Sequence, residues 1–142
     1  MPARFWNFGP TGNLVWRHFP ERREQVAELV ARSLEDGLDD DSPELPEQFE
    51  YMIHVVGPLV LDRIGVRPVE PDLLHRFCQF CRDMLAYSGP DPDVWEVEHN
   101  LYHYVVESID GPRPVEVLLR ADPELVAAVR ARFPGSWAEP VG

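Results

Sequence analysis

The stretch from Asp72 to Gly111 constrains this chain more than any other. Leu74, Phe77, Cys78, Cys81, Met84 and Leu85 recur at three- and four-residue steps, which puts an apolar stripe on one face of a helix. Pro71 suits its first turn, where a missing N–H costs nothing, and Gly89 is placed to stop it in a left-handed conformation. Ser88-Gly89-Pro90-Asp91-Pro92 reads as a turn, with Asp91 the expected N-cap of a second helix. Wound at about 3.6 residues per turn, Val94, Trp95, Val97, Leu101, Tyr102, Val105, Val106 and Ile109 cover well over half of that helix's circumference. A helix apolar over so much surface has neighbours on more than one side. The expected fold class is therefore all-α. Residues 1–142 are expected to form a single-domain compact helical bundle, with a HEAT-like stack of αα-hairpins as one arrangement of it.

The rest of the chain supplies the other helices. A helix opening at Pro20 carries a narrow stripe of Val26, Leu29, Val30 and Leu34 and is expected to end at Gly37. From Phe49 to Ile64 the chain is strongly apolar, but Gly57-Pro58 predicts a kink or a break into two short helices. Pro114–Leu119 reads as a short helix, and Asp122-Pro123 caps another that runs to Phe133. The helical body thus spans 20–133. Residues 1–19 hold Phe5, Trp6, Phe8, Trp16 and Phe19 around Gly9-Pro10-Thr11-Gly12 with no helical period. They are expected as an irregular arm whose aromatics plug gaps in the body or anchor a partner. Residues 134–142, with Trp137, are expected as a mobile or loosely docked tail.

Charge narrows the partners. Twenty-five acids against thirteen bases, all arginine, leave −12. Such a chain repels phosphate backbones and anionic lipid, so neither nucleic acid nor membrane is expected. Eight of the acids fall between Glu35 and Glu50 with no base among them. Asp39, Asp40, Asp41, Glu44 and Glu47 are the candidate rim for a basic protein partner. The alternative is a solvated loop leading into a helix start, where acids suit the dipole. The run lacks the spacing of a calcium loop. Two cysteines three apart make no disulfide framework and the N-terminus has no long apolar run, so a cytoplasmic protein is expected.

Few groups suggest chemistry. Glu96, His99, Asn100, His103 and Glu107 share one helical strip, and Glu96, His99 and His103 have the spacing of a metal chelate. A di-iron site needs a second such helix, and a zinc protease would carry glutamate where Asn100 stands; the strip lies opposite the apolar arc and is expected to be solvated. Cys78 and Cys81, with His75 nearby, fall in an apolar stripe and read as core residues. Glu98 lies within an apolar arc, so a salt bridge to an arginine such as Arg76 or Arg82 on the neighbouring helix is expected, the alternative being a functional acid with a raised pKa. His54 reads as a surface residue. No phosphate loop or nucleophile elbow is present, so no catalytic residue and no cofactor are expected.

Between Phe49 and Ile109, three features resemble a loose class of small all-helical bacterial proteins. They are the apolar helix interrupted near Gly57, the run Leu73-Leu74-His75-Arg76-Phe77-Cys78-Gln79-Phe80, and the acidic helix after Asp91-Pro92-Asp93. Some proteins of that class look like toxin-immunity proteins. The resemblance implies a non-enzymatic binding protein that occludes a basic partner such as a bacterial toxin. Two other readings stay open: a small metal-binding protein or enzyme using Glu96, His99 and His103, and a structural subunit or adaptor.

Overall fold

The computed structural model describes residues 8–39, 41, 44–109 and 111–137. They form helices and no strand, so the all-α class holds. The helices are α1 (Pro10–His18), α2 (Arg23–Asp39), α3 (Gln48–Tyr51), α4 (Pro71–Leu85), α5 (Asp91–Leu101), α6 (Pro112–Ala121) and α7 (Pro123–Arg132). A 3-10 turn, Pro20–Arg22, leads into α2. Helix α3 widens into a π-helical segment, Met52–Leu61, and α5 into another, Tyr102–Val106. Helix α4 pairs with α5 and α6 with α7, as hairpins should, while α6 and α7 both rest on α4.

The centre of the molecule is α1, which packs against α2, α3, α4 and α5. This corrects the expected irregular arm over 1–19: residues 10–18 are helical, and Leu14 and Val15 are core. Phe8 and Phe19, at either end, are 4% and 0% exposed and do plug the helical body. Phe5 and Trp6 lie outside the described residues.

The helix forms because its N-terminus is satisfied from elsewhere in the chain. Pro10 occupies the first turn, and no side chain of the Gly9 N-cap is available to accept the free N–H groups. Gln48 of α3 accepts them instead: its Oε1 takes the N–H of Thr11 at 2.9 Å and of Gly12 at 3.1 Å. Its Nε2 donates to the carbonyl of Phe8 at 3.1 Å. Asn100 of α5 donates to Thr11 Oγ1 at 3.1 Å. Thr11, Gln48 and Asn100 are the buried polar residues of the described chain, and each meets another of the three. Asn100, expected on the solvated strip of α5, is thus turned inward.

Gly57-Pro58 makes no break into two helices, which corrects that half of the expectation. The missing N–H of Pro58 falls within the wide turns of the π segment, where Asp62 N–H bonds to the Gly57 carbonyl at 2.9 Å, five residues back. The same spacing joins Glu107 N–H to the Tyr102 carbonyl at 2.9 Å. The two π segments pack on each other and contribute Val55, Val56, Leu59 and Val60 with Val105 and Val106 to one core.

Other boundaries shift for local reasons. Helix α2 continues through Gly37 to Asp39, and of its stripe only Val26 is buried; Leu34 is 39% exposed. Helix α4 ends at Leu85 with Ala86 near φ −92°, ψ 2°, and Gly89 is not left-handed. Pro90, not Asp91, occupies the N-cap of α5. Asp122 does cap α7, its carboxylate accepting the Leu125 N–H at 3.1 Å. Trp137 is docked rather than loose: it is 5% exposed, and its indole N–H bonds to the Val106 carbonyl at 3.1 Å. Residues 138–142 lie outside the described residues.

Tyr51 carries a strain that a substitution can release. It is fully buried and its hydroxyl finds no hydrogen-bond partner among the described residues. A buried hydroxyl without a partner carries its desolvation penalty uncompensated, so Tyr51→Phe is expected to raise stability by about 1 kcal/mol. Urea denaturation measures it; a loss of stability would show that the hydroxyl is bonded in solution.

Candidate functional site

The acidic segment reaches the surface as a rim. Asp39 ends α2, Asp41 follows in a left-handed turn at φ 55°, and both are exposed, as are Glu44 and Glu47. Asp40 lies outside the described residues. Ser33 Oγ donates to the Glu44 carbonyl at 2.7 Å, which ties the connector back to α2. Glu47 occupies the N-cap of α3, and Glu50 accepts its N–H at 3.0 Å. Those two carboxylates therefore serve a helix start, the role that acids take near the positive end of a helix dipole.

A second surface lies on α5. Trp95, His99 and His103 stand at successive four-residue steps on one face. The Trp95 indole stacks on the His99 ring at 4.9 Å and 19°, and the His99 and His103 rings meet at 4.3 Å. Tyr102 contacts His103 and Phe133, both at 5.1 Å, and His103 Nδ1 lies 3.0 Å from a Glu107 oxygen. Trp95, Glu98, His99, Tyr102, His103 and Phe133 line a shallow groove of about 210 Å³. Trp95 was expected in the apolar arc, yet it is 66% exposed.

The two surfaces approach one another at Glu96. Burial raises the pKa of its carboxyl, and the charges of Glu47 and Asp93 raise it further against the opposing pull of His99. Of the rim residues, Glu47 is the one that acts there. Helix α3 packs against α5, so the charge of Glu47 at the start of α3 reaches Glu96 on α5. Asp39, Asp41 and Glu44 are exposed earlier in the same acidic run.

No family model, curated protein or solved structure matches this chain. Its reading rests on the residues themselves.

Those residues carry little chemistry. Among the described residues no three of histidine, cysteine, aspartate and glutamate are grouped to hold a metal ion. Glu98 does have an arginine partner, but a different one from those expected: Arg132 Nη2 donates to it at 2.5 Å. Arg76 instead makes a two-pronged pair with Glu21 at 2.8 and 2.7 Å, and Arg82 one with Asp122. Glu98 is also partly exposed, beside Val94, Leu101 and Phe133. His54 is exposed, as read from the sequence.

Cys78 and Cys81 are buried free thiols, as their place in the stripe predicts. Burial pushes Cys78 up to about 11, with the charge of Asp122 adding, and holds Cys81 well above the usual thiol range. Burial likewise lifts Tyr51 to about 12. Each group keeps its proton longer in the folded protein than in the unfolded chain. Above about pH 9, where an ordinary thiol ionises, the unfolded chain binds fewer protons and stability must fall. Denaturation at pH 8 and pH 10.5 is expected to show that loss, reduced in Cys78→Ala. Alkylation of the folded thiols at pH 8 is expected to be far slower than in urea.

Proposed function

We propose that this chain is a non-enzymatic, cytoplasmic binding protein. It is an acidic α-helical module that occludes a basic protein partner, as toxin-immunity proteins do their toxins. One observation carries the reading: a rim of exposed carboxylates, Asp39, Asp41, Glu44 and Glu47, ends beside a strip led by an exposed tryptophan. Clustered like charge steers an oppositely charged partner and sets the choice of partner, while aromatic side chains supply anchoring energy. The charge also opposes nucleic acid and anionic lipid, and among the described residues no helix is long and apolar enough to cross a membrane.

The test uses Asp39→Asn, Asp41→Asn and Glu44→Gln together, which leaves the Glu47 helix start untouched. The probe assayed is poly-arginine, a polycation of the charge the rim would attract. Association is expected to slow by about tenfold at low salt, with a shallower dependence on salt. An unchanged rate and slope would remove the acids from the mechanism. Stoichiometric metal in the purified protein, lost in both His99→Ala and His103→Ala, would replace this reading with a metalloprotein using Glu96, His99 and His103.

A further inference from the structure

We infer that the Trp95–His99 end of the α5 strip is the docking point for an arginine side chain of the basic partner. This rests on the binding-protein reading above and adds to it the place and the chemistry of the anchor.

Three observations converge. His99 covers one face of the Trp95 indole, and at 66% exposure the rest of the side chain is open to solvent. An exposed tryptophan held in a stack is preorganised, so little side-chain freedom is lost when a partner lands on it. The surroundings are acidic: Glu96 and Asp93 lie on the same helix, and Glu47 acts on Glu96 from the start of α3, while Glu98 in the groove is already held by Arg132. A cation over an indole face gains from the ring quadrupole and here meets carboxylates as well.

The groove decides the size of the occupant. About 210 Å³ is below the roughly 300–1,000 Å³ usual for a small-molecule site, and suits one side chain. Arginine fits better than lysine because its planar guanidinium can stack on the ring while its fork reaches a carboxylate. The molecule uses both halves of that chemistry internally. Arg23 lies over the Trp16 ring at 5.0 Å, and Arg132 holds Glu98 at the edge of this same groove.

The test titrates the full chain with a blocked Gly-Arg-Gly-Arg-Gly peptide and its citrulline counterpart, at pH 8 and low salt. NMR follows the Trp95 indole N–H and the His99 ring. Saturable shifts at both are expected with the arginine peptide. The citrulline peptide, Trp95→Ala and Glu96→Gln are each expected to bind about tenfold more weakly. Trp95 is exposed, so Trp95→Ala should fold, which circular dichroism verifies. Equal binding of the citrulline peptide, or binding untouched by Trp95→Ala, would overturn the docking point.

The acid-rim triple variant separates the two readings. It keeps the docking point, so it is expected to bind the arginine peptide unchanged even where its association rate and salt slope fall. Peptide binding lost in the triple variant and kept in Trp95→Ala would overturn the docking point.

Discussion

Gln48→Leu is expected to destabilise the protein by about 3 kcal/mol, because leucine keeps the volume and removes every hydrogen bond that caps α1. The N–H groups of Thr11 and Gly12 lose the oxygen at 2.9 and 3.1 Å, and the Phe8 carbonyl loses its donor at 3.1 Å. All three are shielded by the helices packed around α1, so water does not simply replace the amide. A buried backbone group left unpaired costs about 1–3 kcal/mol, which sets the size of the effect. Gln48→Glu is a sharper companion. It keeps an acceptor for the two N–H groups but sets a carboxylate oxygen against the Phe8 carbonyl, so an intermediate loss is expected. Urea denaturation with an unchanged slope would measure both. A loss under about 1 kcal/mol for Gln48→Leu would show that α1 does not depend on this cap.

Gly9→Ala is expected to cost about 3 kcal/mol or more, from two sources. Gly9 has φ 88° and ψ 170°, a region open essentially to glycine alone, and a side chain forced there costs about 1–3 kcal/mol. A Cβ at this position would also fall 2.2 Å from Gln48 Nε2, so the capping amide would have to move. The two residues therefore form one lock. In a Gln48→Ala background the second source is gone, and Gly9→Ala should cost less than it does alone. A double-mutant cycle reads that coupling directly. Additive losses would mean that the backbone conformation alone demands glycine.

Much of the helical body was legible because its signals are local. The stripe from Phe77 to Met84 is buried as its spacing implies, and Asp122 caps α7 from three residues away. The core cysteines, the exposed His99 and His103 and the exposed acids could also be read from spacing and charge. The errors fall where a distant residue decides. Gly9-Pro10-Thr11-Gly12 reads as part of an irregular arm because the side chain that makes it a helix start lies 37 positions further on. Trp137 looked like tail because the carbonyl that receives its indole N–H is 31 positions earlier. Gly57-Pro58 looked like a break because a ring within a helix ordinarily costs a hydrogen bond, and only a wider turn packed on a second wide turn accommodates it.

The same division runs through the candidate site. The acids of the rim needed only to be counted, whereas the meeting of Glu47 with Glu96 and the exposure of Trp95 depend on how α3 settles against α5. Sequence by itself determined the helical class, the buried face of α4 and the excess of negative charge, since periodicity and composition are properties of neighbours along the chain. Tertiary structure alone decided that α1 stands at the centre, which arginine holds Glu98, and which aromatic is left at the surface. Those outcomes depend on contacts between residues tens of positions apart, and local spacing carries no record of them.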